Sequence, residues 1–159
     1  MENKRLENYI MHYIETHNTM SLATERDGKP HAATVFFINI GFDLYFFSSP
    51  TSRHGENFSL NPMVSATINE DYSDWQSIKG IQLEGVVTMV GGILENIRLS
   101  RLYIKKFPDV VDFLFSPQKL GAAIARKVAG VNYYKLEPSK IYFLNNELGF
   151  GHRDELILK

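Results

Sequence analysis

The chain has 159 residues, 44% hydrophobic and 13% aromatic, which is enough apolar sequence for one buried core and excludes a disordered or collagen-like polymer. Seventeen Lys and Arg against eighteen Asp and Glu leave a formal charge of -1, so there is no bulk field to attract nucleic acid or an anionic membrane surface. Without cysteine there are no disulfide frameworks, thiolate nucleophiles, Cys-ligated zinc sites or iron–sulfur clusters.

The elements follow in chain order. Residues 2 to 16 place Leu6, Tyr9, Ile10, Tyr13 and Ile14 at helical spacing with charged residues opposite, which predicts an amphipathic opening helix. MSLATER, HAATVFFINI and DLYFFSS then read as three β-runs separated by Asp27-Gly28 and Gly41-Phe42, the signals of successive hairpins. Thr51 to Leu60 is polar and stops at Asn61-Pro62, so one or two helical turns are expected, followed by the strand MVSATIN. After the polar loop EDYSDWQS, alternation from Ile78 to Val90 predicts a long strand with Gly80 and Gly85 as bend or bulge positions. Ile93 to Phe107 reads as a helix with a solvated basic face, and a second helical stretch follows Pro108. A short helix over Leu120 to Val128, two strands (VNYYKLEP and KIYFLNN) and an exposed tail from Leu148 complete the chain.

Many short strands with few, late helices predict a mainly β with α (α+β) fold, an antiparallel barrel with helical decoration in a single domain over residues 1–159. Side chains fill so small a barrel, which places any sizeable ligand outside it or between subunits. No apolar run reaches the roughly 18 residues of a membrane span, and MENKRLEN is too polar for a signal peptide, so a soluble, cytoplasmic protein is expected.

The segment LYFFSSPTSRHGENFSLNP, residues 44 to 62, is the most informative. Ser48, Ser49, Thr51 and Ser52 can donate hydroxyls, the start of a helix offers free amides, and Arg53 offers a bidentate fork, which together make a phosphate cradle. The plain alternative is a strand-to-helix turn with a Ser or Thr cap. His54 can add a pH-sensitive charge beside Arg53. The remaining histidines form no ligand pair, so no metal site is expected, and GxSxG, SxxK, GxGxxG and P-loop motifs are all absent.

The order GKPHAATVFF, LYFFSS-x-x-SRHGENFSLNPMVSATI, IKGIQLEGVVTMV resembles the pyridoxamine 5'-phosphate oxidase-like family of FMN-binding split β-barrels over residues 18 to 91. The closing NNELGFGHRDEL is similar to an uncharacterised bacterial branch of it. The resemblance implies an antiparallel split barrel that forms a homodimer with FMN at the subunit interface. It implies that Ala33, Thr34, Val35 and Phe36 lie along the flavin and its ribityl chain. Phe47 and Ser48 match the strand end near the phosphate, Ser49 and Ser52 share its turn, and Arg53 and His54 match the basic pair that binds it. The family usually has Lys where His54 stands. Gln82 stands in for a flavin-contacting Gln, and Arg153 belongs to the tail that completes a partner's site. The residues that bind the vitamin substrate find no match, so the expectation is an FMN-dependent oxidoreductase of unknown substrate rather than the vitamin oxidase. Two other functions stay open: a haem-binding or haem-degrading protein using a tail histidine such as His152, and a flavin-binding module without turnover.

Overall fold

The computed structural model describes residues 3–123, 126 and 130–158. Its elements run α1 (Asn3–Thr16), β1 (Thr19–Arg26), β2 (Lys29–Phe36), β3 (Ile38–Ile40), β4 (Asp43–Ser48), α2 (Arg53–Leu60), β5 (Met63–Asn69), β6 (Lys79–Met89), α3 (Ile93–Lys106), α4 (Val111–Phe115), β7 (Asn132–Asn145) and β8 (Arg153–Ile157). The strands form one antiparallel sheet in the order β2-β1-β5-β6-β7-β4-β3, with β8 added to β7. β2 and β4 touch across the gap without a ladder between them, so the sheet curls into a split β-barrel of the α+β class.

Local chemistry sets these elements. In α1 the buried Leu6, Ile10, Tyr13 and Ile14 recur on one face, and the helix packs on β3, β6 and β8. The β1–β2 hairpin closes Arg26 onto Lys29 through Asp27 and Gly28, both at positive φ (54° and 73°), as a two-residue turn between right-twisted strands requires. Inside the barrel, Leu22, Leu44, Phe46, Ile68, Ile81, Leu83 and Ile141 are fully buried with the α1 residues, leaving no room for a ligand. β4 alternates, so Leu44 and Phe46 face in while Tyr45 and Phe47 face out under α3, in a second cluster with Leu99, Tyr103 and Tyr133.

Several expectations need correction. HAATVFFINI is two strands, because at Phe37 the chain leaves β1 and starts a new pairing with β4. The two final strands are one, β7, which runs through Pro138. Pro138 lacks an N–H, and it lies opposite Gly85 where the register shifts after Glu84, so the missing donor falls at a bulge. A Cβ on Gly85 would collide with the Glu137 carbonyl. Gly80 takes no part in a bulge. The tail is no loose end, since β8 pairs Arg153 to Ile157 with Leu144 to Lys140. Of the helix expected over Leu120 to Val128, residues 124, 125, 127 and 128 lie outside those described.

Candidate functional site

The hydroxyl-rich turn leads from β4 into α2, and the cap expected of it is Ser52. Its Oγ accepts from the Gly55 amide at 3.1 Å and donates to the Ser49 carbonyl at 2.7 Å. A Cβ at Gly55 would stand 2.6 Å from that carbonyl, so the turn can fold this tightly over the helix only because position 55 is glycine. Ser48 is buried and its Oγ lies 2.5 Å from His54 Nε2, which also sits 3.2 Å from Ser52 Oγ. Ser48, Ser52 and His54 therefore brace one another. Outside this brace, Ser49 and Thr51 pair their hydroxyls at 2.9 Å, and the Arg53 and His54 amides open the helix with no intrahelical acceptor.

Arg53 and His54 do not act as one pair. Arg53 is exposed and shares a depression of about 250 Å³ with Arg26, Asp27, Lys29, Glu56 and Asn57. Arg26 contacts Asp27 and Glu56, whereas Arg53 makes no ion pair among the described residues, so its guanidinium keeps its full donor set. His54 turns toward β2, where its ring lies nearly parallel to that of His31 with centroids 6.4 Å apart. Burial, and after it the neighbouring His31, holds the His54 pKa below its usual value. Behind it the buried Asn57 donates to Thr24 Oγ1 at 3.0 Å and ties α2 to β1.

Of the β2 candidates, Thr34 and Phe36 face outward, Ala33 is half-buried and Val35 belongs to the core. β2 ends the ladder, so one of its edges carries N–H groups not spent on a neighbouring strand. Phe36 and Phe47 meet at a hollow of about 550 Å³ closed by α3 and the turn after it. There the fully buried Tyr103 sets its hydroxyl 2.7 Å from the Tyr45 carbonyl and 3.2 Å from that of Phe36, bridging the split in the barrel. Burial pushes the Tyr103 hydroxyl well above its ordinary pKa, so it remains a donor.

Gln82 and Arg153 lie apart from this region within the chain. The register aligns Thr34, Ser21, Thr67 and Gln82 across β2, β1, β5 and β6, three strand spacings or about 14 Å. Gln82 lines a separate hollow of about 380 Å³ with Thr67, Asn69, Tyr72 and Lys79. Arg153 starts β8 and is exposed beside Leu144, while His152 contacts Asp154 at 3.0 Å. Sequence reasoning missed His31, Tyr103 and Lys106, which only tertiary packing brings to the site. Among the described residues no cluster of His, Asp and Glu is arranged to hold a metal, and no helix is long and apolar enough to cross a membrane.

Comparison with known proteins agrees with this architecture. A UPF0306 protein of Klebsiella pneumoniae is 24% identical over 148 residues, 91% of this chain and 88% of that protein. A haem-binding protein of Mycobacterium smegmatis superposes with a TM-score of 0.71 at 18% identity, over 92% of this chain and 57% of that one. The haem storage protein HutZ of Vibrio cholerae superposes with a TM-score of 0.66 at 21% identity, over 84% of this chain and 89% of its own. At such identities the superpositions establish a common split barrel. Residues 6–145 match the sequence model of the pyridoxamine 5'-phosphate oxidase family, and with most of its length accounted for in this way the chain belongs to that family.

Proposed function

We propose that the chain is an FMN-dependent oxidoreductase that works as a homodimer, with the flavin phosphate at the turn before α2. The observation that carries this is Arg53, a cation without a carboxylate partner among the described residues, beside two exposed hydroxyls and the open amides of a helix N-terminus. That donor set suits a phosphate dianion. Bound FMN would supply two-electron redox chemistry that no side chain here provides.

The chain's own residues bind and orient. Arg53, Ser49, Thr51 and the first α2 amides would hold the phosphate, while Ser48, Ser52 and His54 keep the turn in shape. The free edge of β2 over Ala33 to Phe36 would offer N–H donors to the flavin ring, and Phe36 and Phe47 would exclude water from its edge. Gln82 and Arg153 are too far from this half of the site to serve it within one subunit. A second subunit packed on the outward face of the sheet would contribute them, consistent with the filled barrel interior.

Haem is the second ligand to weigh, because haem-binding proteins share the fold. The apolar hollow is lined by Phe36, Phe47, Tyr103 and Phe107 and, among the described residues, includes no histidine to act as axial ligand. The absorbance spectrum of the purified protein separates the two. Arg53→Ala should weaken FMN binding by about 1.5 to 3 kcal/mol, the range for a hydrogen bond to a charged group. Unchanged affinity in a folded variant would remove Arg53 from the site. A protein that retains FMN yet reduces no acceptor and oxidises no donor would be a flavin-binding module.

A further inference from the structure

We propose that His31 and His54 form a proton-sensitive half of the phosphate site, so that a phosphate monoester dianion binds together with a proton and is released as pH rises. The pair's role rests on the phosphate assignment at the turn before α2. His31 lies two residues before Ala33 on the same face of β2, and both are half-buried. Its ring is nearly parallel to that of His54, at an interplanar angle of 8° and 6.4 Å between centroids. The two rings therefore join the stretch of β2 given to the flavin to the hydroxyl-rich turn.

The hydrogen bonds of the turn fix which nitrogen of His54 carries its proton. Ser52 has one hydroxyl proton and gives it to the Ser49 carbonyl at 2.7 Å, so toward its other neighbours Ser52 Oγ only accepts. His54 Nε2 lies 3.2 Å from that acceptor and 2.5 Å from Ser48 Oγ, which in turn lies 3.3 Å from Ser52 Oγ. No two acceptors face each other when His54 Nε2–H donates to Ser48 and Ser48 donates to Ser52. In the neutral ring Nδ1 is then a bare acceptor, which repels an anion. A proton at Nδ1 turns it into a charged donor without disturbing the chain of hydroxyls. Neither Nδ1 of His54 nor the ring of His31 has a hydrogen-bond partner among the described residues.

The charged groups of the neighbouring elements are turned elsewhere. On α2, Arg53 is exposed and lines the depression with Arg26 and Lys29, while Glu56 pairs with Arg26 of β1. Glu25 of β1 accepts from Asn61 and from the Gly28 amide. On the other side of the His54 ring stands the apolar Phe58. Burial, and after it His31, holds the His54 pKa below its usual value, so the free ring is neutral at pH 7. A bound dianion opposes both effects, since it pairs with the charged ring and offsets the repulsion between two imidazolium ions. Arg53 keeps its charge throughout, whereas the histidines give the site a grip that depends on pH.

The test is titration of apoprotein with FMN and with riboflavin, followed by flavin fluorescence from pH 6.5 to 8.5. Proton uptake at pH 7.5 is read by calorimetry in buffers of different ionisation enthalpy. A phosphate monoester with a second pKa of about 6 is already a dianion there, so a proton taken up belongs to the protein. FMN affinity should fall about 5-fold across the range, within the roughly tenfold per pH unit that one linked proton allows, while riboflavin affinity stays level. His54→Gln and His31→Gln should each lower the uptake, and the double variant should abolish it, with riboflavin binding showing that the variants fold. A preference for FMN over riboflavin that does not change with pH, or an uptake that survives in the double variant, would overturn the proposal and leave the phosphate site standing. No preference for FMN at any pH would refute the phosphate assignment and the proposal together.

Discussion

Tyr103→Phe removes one oxygen atom and leaves the ring in place, which makes it a clean probe of how the split barrel is held together. The side chain is fully buried, with its hydroxyl 2.7 Å from the Tyr45 carbonyl of β4 and 3.2 Å from the Phe36 carbonyl at the end of β2. No ladder joins those two strands, so this hydroxyl is a polar link across the gap. Its removal costs one net hydrogen bond and strands an acceptor in a water-free place, about 1.5 to 3 kcal/mol together. For a chain of this size that corresponds to a drop in Tm of about 3 to 12 °C. Tyr133→Phe is the control, because the partner of its hydroxyl is the side chain of Ser100, which can turn to another acceptor or to water, and it should cost less. Thermal unfolding gives the magnitude, and amide hydrogen exchange should quicken at the end of β2 in Tyr103→Phe alone. Equal Tm values for wild type and Tyr103→Phe, with unchanged exchange, would show that the gap is held by apolar packing and that the hydroxyl link is immaterial.

Three further outcomes follow from the same contacts. Gly85→Ala drives a Cβ into the Glu137 carbonyl and should destabilise the protein by about 2 kcal/mol or more, read by urea unfolding; a neutral result would mean that the bulge is soft. Because burial and His31 depress the folded pKa of His54, the unfolded chain binds its proton at higher pH, and that contribution to stability is present above about 6.5 and is lost as pH falls below it. His54→Gln should flatten this acid-side loss in chemical unfolding between pH 7 and 5, whereas parallel curves would uncouple His54 from stability. Sedimentation at micromolar concentration should find a dimer, and a flavin-loaded monomer would contradict an interfacial site.

Periodicity carried most of the fold. The 3.6-residue repeat of Leu6, Ile10, Tyr13 and Ile14, the alternation of MVSATIN and the Asp27-Gly28 turn each define an element without help from the rest of the chain. Sequence misled where a local signal met a tertiary solution. Pro138 reads as a strand end but is absorbed by a bulge supplied by Gly85, which lies more than fifty positions away. HAATVFFINI shows no break signal at Phe37, since the change of partner strand there is a property of the sheet. At the candidate site, the hydroxyls and Arg53 were legible from spacing. The parallel stacking of His31 on His54 and the burial of Lys106 depend on which elements pack together, and composition is silent about both.

The central claim is a phosphate site at the turn before α2, and the most direct measurement compares the affinities of apoprotein for FMN and for riboflavin, which differ only by that phosphate. FMN should bind at least about 100-fold more tightly, as expected for several charge-assisted hydrogen bonds, and Arg53→Ala should erase most of the difference while leaving riboflavin affinity unchanged. Equal affinity for the two flavins, or a haem spectrum in place of a flavin spectrum on the purified protein, would contradict it.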